Sequence, residues 1–168
     1  DRLVVGGWSA GAGIAAVVSR VARDTGGPAI AGQALLAPVT DSDTDRSSYA
    51  ENGSGYDLDA SLMQWFFDQY RDQADRDDPR IAPLRATDLS GLPPAVIVTN
   101  EFDVLRDEGE AYAEALRSAG VPVEHIRARG HTHCSLTMVG LVVSGAPVRE
   151  QCAAAVRRLT TASRRSAT

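Results

Sequence analysis

Apolar residues follow two rhythms along this chain, and the two alternate. Residues 3–6 form a short apolar run. Ile14, Val17, Val18, Val21 and Ala22 then recur at helical spacing until Gly26, Gly27 and Pro28 end the pattern. Residues 29–36 form a second run of strand character. Leu62, Met63, Trp65, Phe66, Phe67 and Tyr70 cover a wide helical face, with Asp59 or Ser61 available as its cap. An aromatic stripe at that spacing is more often core than pocket lining. Residues 95–99 make a third strand. Leu105, Tyr112, Leu116 and Ala119 share one face of a helix that carries acids early and stops at Gly120. Residues 121–126 make a fourth strand, broken only by Pro122 near its start. Pro147 then opens a last helix whose apolar side holds Val148, Cys152, Ala155, Val156 and Leu159.

Four apolar strands separated by helices predict an α/β chain: a parallel sheet with right-handed crossovers and flanking helices. Residues 38–57, dense in turn formers and acids, predict a long solvated loop. Their acids lack the ligand spacing and terminal Glu of an EF-hand. Residues 71–84 are a charged connection punctuated by Pro79 and Pro83, and residues 164–168 predict a frayed tail.

Length and charge narrow the function classes. The 168 residues suit one domain with a real core. A formal net charge of −5 argues against a nucleic-acid surface, which needs clustered cations. All 17 basic residues are arginine, so lysine-based chemistry is excluded. Cys134 and Cys152 make no disulfide framework and predict a reducing, cytoplasmic location. No apolar stretch is long enough to span a bilayer. The chain starts without Met and enters a strand almost at once, which reads as a cut from something larger.

Chemistry concentrates around one serine. Gly7-Trp8-Ser9-Ala10-Gly11 is a G-x-S-x-G directly after a strand and opening a helix. A serine on so sharp a bend takes up a strained conformation, so Gly7 and Gly11 are expected for lack of side-chain room. The helix that follows turns its first amides, that of Ala10 foremost, toward developing negative charge. A serine nucleophile needs a base and the base an orienting acid. His125 lies within a strand and suits a packed role. His131 and His133 follow the fourth strand, and Asp103 follows the third. In a parallel sheet the carboxyl ends of all strands share one edge, so Ser9, Asp103 and a histidine converge there. Asp107 and Glu108 fall on a first helical turn, where the helix dipole accounts for them. A zinc site from His131, His133, Cys134 and Cys152 lacks ligand spacing, and neither metal nor organic cofactor is expected.

The runs "DPRIAPL" (78–84) and "DLSGLPPAVIVTNEFDVLRDEGEAYAEALRSAGVPVE" (88–124), with Gly130-x-x-His133, resemble the hormone-sensitive-lipase-like esterases of the α/β-hydrolase fold. The resemblance runs from about residue 2 to residue 159. It implies carboxylic-ester hydrolysis on short- to medium-chain esters: Ser9 attacks, His133 carries the proton and Asp103 orients His133. It singles out His133 over His131. It also implies that residues 1–163 are the C-terminal portion of one domain, with the last four of eight strands. Two positions depart from the family: Trp8 stands where Asp is usual, and Cys134-Ser135 where Gly-Phe is common. Of the family's oxyanion donors only the Ala10 amide lies in this chain, and each lost donor costs about 10²–10³ in turnover. The nucleophile strand would be an open apolar edge that invites association with the preceding half of the domain or with a second copy. The alternatives are a serine peptidase of prolyl-oligopeptidase type, or a hydrolase-like fragment serving only as a binding module.

Overall fold

The computed structural model describes residues 3–70 and 75–162. Its elements are β1 (Leu3–Trp8), α1 (Ala10–Thr25), β2 (Ile30–Leu36), α2 (Ser47–Asn52), α3 (Ala60–Tyr70), β3 (Ala95–Phe102), α4 (Arg106–Ser118), β4 (Val123–Thr132) and α5 (Ala146–Ala162). The four strands are all parallel and stand in sheet order β1-β2-β3-β4, with β1 at one edge. The expected tail, residues 164–168, lies outside the described residues.

Strand alternation sorts the core into two faces. On one, Ala12, Ala15 and Ala16 of α1 and Tyr112, Ala113 and Leu116 of α4 pack on Leu35 and Ile97. On the other, Cys152 and Ala155 of α5 pack on Val96, Val98, Ile126 and Ala128. Because β3 is covered on both faces, its apolar run is unbroken. A third cluster lies beyond the sheet edge, where Tyr49 of α2 and Met63 and Phe67 of α3 meet Leu58, Val104 and Leu105.

Three expectations change. β4 continues past residue 126 to Thr132, because Ala128 is buried between the exposed Arg127 and Arg129, a strand alternation that the arginines disguised. Residues 38–57 are not a solvated loop. Thr40, Asp41, Ser42, Ser48, Tyr49 and Asn52 are buried, and part of the segment forms α2. Their polar groups are satisfied by Glu108, Arg46, Arg85 and backbone, which permits burial of a sequence that looks hydrophilic. Finally, the aromatic helix splits. Met63 and Phe67, four residues apart, enter the core, whereas Trp65, Phe66 and Tyr70 stay exposed.

Candidate active site

Ser9 sits on the single residue between β1 and α1 with φ 58° and ψ −124°, a left-handed φ that a side chain adopts only under strain. Four bonds pin the bend: the Ser9 N–H donates to the Leu36 carbonyl at 2.9 Å, and the Ser9 carbonyl accepts from Ala12 at 3.0 Å, Gly13 at 3.2 Å and Val39 at 3.3 Å. A Cβ at Gly7 would collide with the backbone of Gly11 and Ala12, so the glycine before the serine is sterically required. Gly11 differs from expectation, since among the described residues a Cβ there meets nothing within 4 Å. The second required position is Gly13, whose Cβ would strike the Val39 carbonyl where α1 crosses the chain leaving β2.

Asp103 follows β3 just after a register shift between Asn100 and Phe102. His133 is the first residue past β4. The His133 Nε2 lies 3.0 Å from Ser9 Oγ, and its Nδ1 lies 2.8 Å from Asp103 Oδ2. These partners assign the tautomer: Nδ1–H donates to the carboxylate and Nε2 accepts from the hydroxyl. Asp103 is further held by the Leu105 N–H on Oδ1 at 3.0 Å and the Asn100 amide on Oδ2 at 3.3 Å. Both Asp103 and His133 are buried, so water does not compete for the hydrogen bond between them. The Ala10 N–H, as the first amide of α1, has no intrahelical partner and opens beside Ser9.

The serine looks into a cavity of about 670 Å³. Leu58, Leu62, Met63, Phe66, Phe67 and Ile81 form much of its wall, with Trp8 and His133 beside Ser9 and Arg80 in its polar lining. Most of the stripe expected to be core therefore faces this hollow. Cys134 also lines it, but burial and the nearby Asp57 push its thiol up to about 11, which favours the protonated form.

The remaining histidines stand apart. His131 is buried against Ser135 Oγ at 3.0 Å. His125 pairs with Thr99 Oγ1 at 2.8 Å on β3, and burial lowers its pKa. Cys152 is buried in α5. Among the described residues no three His, Cys, Asp or Glu side chains gather as metal ligands.

A profile of the alpha/beta hydrolase fold matches residues 1–137. The chain belongs to the α/β-hydrolase fold family. LipN, a carboxylic ester hydrolase of Mycobacterium tuberculosis, is 47% identical over 129 residues, covering 73% of this chain and 34% of LipN. The ethyl acetate hydrolase of Pseudomonas putida is 37% identical over 146 residues, 84% of this chain and 45% of that protein. Among solved structures, a thermostable esterase from Pseudomonas putida ECU1011 superposes with a TM-score of 0.80 at 43% identity, covering 95% of this chain and 49% of that one. An α/β-hydrolase enzyme from the metagenome of Lake Arreo, Spain, gives 0.86 at 39% identity, with 92% and 49% covered. The chain spans less than half the length of each of these relatives.

Sequence reasoning missed three members of this hydrolase-fold site. Asp57 accepts from the Cys134 N–H at 2.7 Å and the Thr132 hydroxyl at 2.9 Å, tying down the histidine loop from the other side of the cavity. Glu101 accepts from the Gly130 N–H at 2.7 Å, and Gly130 has φ 75°. That left-handed residue is the local reason for Gly130-x-x-His133, and it was a readable signal. Asn100 gave no signal in the sequence.

Proposed function

We propose that this chain carries the catalytic centre of a serine carboxylic ester hydrolase. One observation bears most of the weight: Ser9, His133 and Asp103 form a continuous hydrogen-bonded line that ends at the mouth of an apolar cavity. The kinship with carboxylic ester hydrolases supports the same reading.

In the proposed reaction Ser9 Oγ attacks the ester carbonyl while its proton passes to His133 Nε2. Asp103 stabilises the imidazolium so formed. The Ala10 N–H donates to the oxyanion, and donors from the rest of the whole protein complete that stabilisation. Collapse of the tetrahedral species breaks the bond to the alcohol, which leaves with the proton from His133. Water then attacks the acyl-Ser9, giving its proton to His133, and the acid departs as Ser9 is restored. The cavity wall suits uncharged esters with short to medium apolar chains.

Residues 1–163 then form the C-terminal portion of one domain, whose preceding half would pair with the open edge of β1. Leu3 on that edge and Ile14, Val18 and Val21 on α1 are exposed apolar residues of the kind such a half would cover. Both cysteines are unbridged, in keeping with a reducing, cytoplasmic location.

Intact-protein mass after treatment with an active-site-directed organophosphonate tests the reading. A single adduct is expected, absent from Ser9→Ala. A folded sample that takes up no adduct would remove the claim that this chain activates its serine.

A further inference from the structure

Beside the imidazole, two side chains from different strands converge on one atom. The Trp8 indole N–H and the Asn100 amide each donate to the backbone carbonyl of His133, both at 3.3 Å. The same amide nitrogen donates to Asp103 Oδ2, the oxygen that receives His133 Nδ1–H. Trp8 also lays its ring against the imidazole, with centroids 4.8 Å apart and planes tilted by 35°.

The orientation of the Asn100 amide follows from its partners. A backbone carbonyl and a carboxylate are both acceptors, so the NH₂ end must face them. That leaves Oδ1 on the other side, where it has no partner among the described residues, although Asn100 is only 1% exposed. A buried acceptor without a partner is a standing cost, rare enough in folded proteins to ask for a reason. Packing alone gives none, because an apolar residue would fill this position on the α5 face without that cost. The donors of Asn100 all go to the Asp103–His133 pair.

We infer that Trp8 and Asn100 are positioning residues that clamp the His133 backbone and the Asp103 carboxylate together, fixing the imidazole for Ser9. The inference rests on the ester-hydrolase reading. Neither side chain needs to touch the reacting carbonyl. They act through His133, whose loop is held on another side by Asp57 and Glu101.

The test is the rate at which Ser9 is labelled by an organophosphonate, measured on wild type, Trp8→Phe, Asn100→Ala and Asn100→Asp after thermal melts have shown each to be folded. Asn100→Ala is expected to react about 10- to 100-fold more slowly, the effect of a small misplacement of a catalytic group. Trp8→Phe keeps a ring against His133 but loses the N–H, and is expected to lose only about threefold. Asn100→Asp sets a carboxylate against two acceptors and is expected to be slower than Asn100→Ala near neutral pH. Protonation of the introduced carboxyl restores a donor, so the ratio of its rate to that of Asn100→Ala rises as pH falls. A residue that only fills space would leave that ratio flat. Wild-type rates in all three folded variants, or a flat ratio, would overturn the clamp.

A second readout does not depend on Ser9. The low-field proton resonance of His133 Nδ1–H reports its bond to Asp103 in the resting protein. If wild type takes no label, the ester-hydrolase reading fails, and the clamp is then judged on this signal alone. Broadening or loss in Asn100→Ala supports it, and an unchanged signal sinks it.

Discussion

Two buried aspartates lie just beyond the carboxyl ends of neighbouring strands, and they are held in opposite ways. Asp41, past β2, is met by the guanidinium groups of both Arg46 and Arg85 and by the Ser42 N–H. Burial alone would raise its pKa, but the hydrogen bonds from Arg85, Arg46 and the Ser42 N–H, with the charge of Arg85, outweigh that and hold it below the usual value. Asp103, past β3, meets three uncharged-type donors among the described residues: an imidazole N–H, an amide and a backbone N–H. The first carboxylate is neutralised in place and braces the segment after β2. The second has no cation on its oxygens among the described residues and hydrogen-bonds the His133 imidazole instead. The same residue type at the same sheet edge thus becomes a structural brace or, in the proposed reaction, the orienter of a histidine, according to whether cations or neutral donors surround it.

Exchanging each aspartate for asparagine should separate the two roles most sharply. Asp103→Asn keeps the shape but favours the wrong imidazole tautomer, and is expected to cut ester turnover by about 10⁴-fold with little change in melting temperature. Asp41→Asn leaves two cations short of an anion and is expected to cost about 3 kcal/mol in urea unfolding, at the low end because Arg85 can rehydrate. Turnover per folded molecule should stay within a few-fold. Equal activity loss in both variants would erase the distinction.

Glu108 extends the comparison into pH. Its buried carboxyl faces the N–H groups of Thr40 and Asp41 at 2.7 and 3.2 Å, yet burial dominates and pushes it up to about 8 from 4.5. In that window the folded chain holds a proton that the unfolded chain has lost. Its contribution is therefore complete below 4.5 and is lost as pH rises to about 8. His125, lowered by burial, adds an opposite slope below its ordinary 6.5, so the readout is the difference between wild type and Glu108→Gln. Unfolding free energies across the window should show wild type losing up to about 1.4 kcal/mol per pH unit relative to the variant. Parallel curves would mean that Glu108 is ionised in the fold.

The smallest effect is expected on the cavity wall. Phe66→Ala removes an exposed ring that lines the hollow, and KM for a bulky apolar ester should rise about three- to tenfold with stability unchanged. A matching loss of stability would return Phe66 to the core, where its helical spacing first suggested it belongs.

Much of the site was legible because its signals are local. A strand followed by glycine, serine and small residues specifies a bend, since Gly7 is needed by the backbone of the turn that follows it. Ser9, Asp103 and His133 could each be assigned to the carboxyl end of a strand from hydrophobic pattern alone, and parallel pairing brings those ends to one edge. Their choice among rival acids and histidines also drew on the family resemblance. Glu108 looked like a helix-dipole residue because nothing in its own turn betrays that the chain at Thr40 and Asp41, 68 and 67 positions away, folds over it.

The amino-acid sequence by itself determined the alternation of strands and helices, the strained bend at Ser9 and the edge at which three chemical groups meet. Only the tertiary structure decided that residues 38–57 fold inward, that Leu62, Phe66 and Tyr70 face a cavity, and that Asn100 stands between Asp103 and the His133 backbone. The physical reason is the reach of each effect. Backbone bends and hydrophobic periodicity are set by residues a few positions apart, whereas burial of a polar group is decided by partners that only packing brings within hydrogen-bond distance.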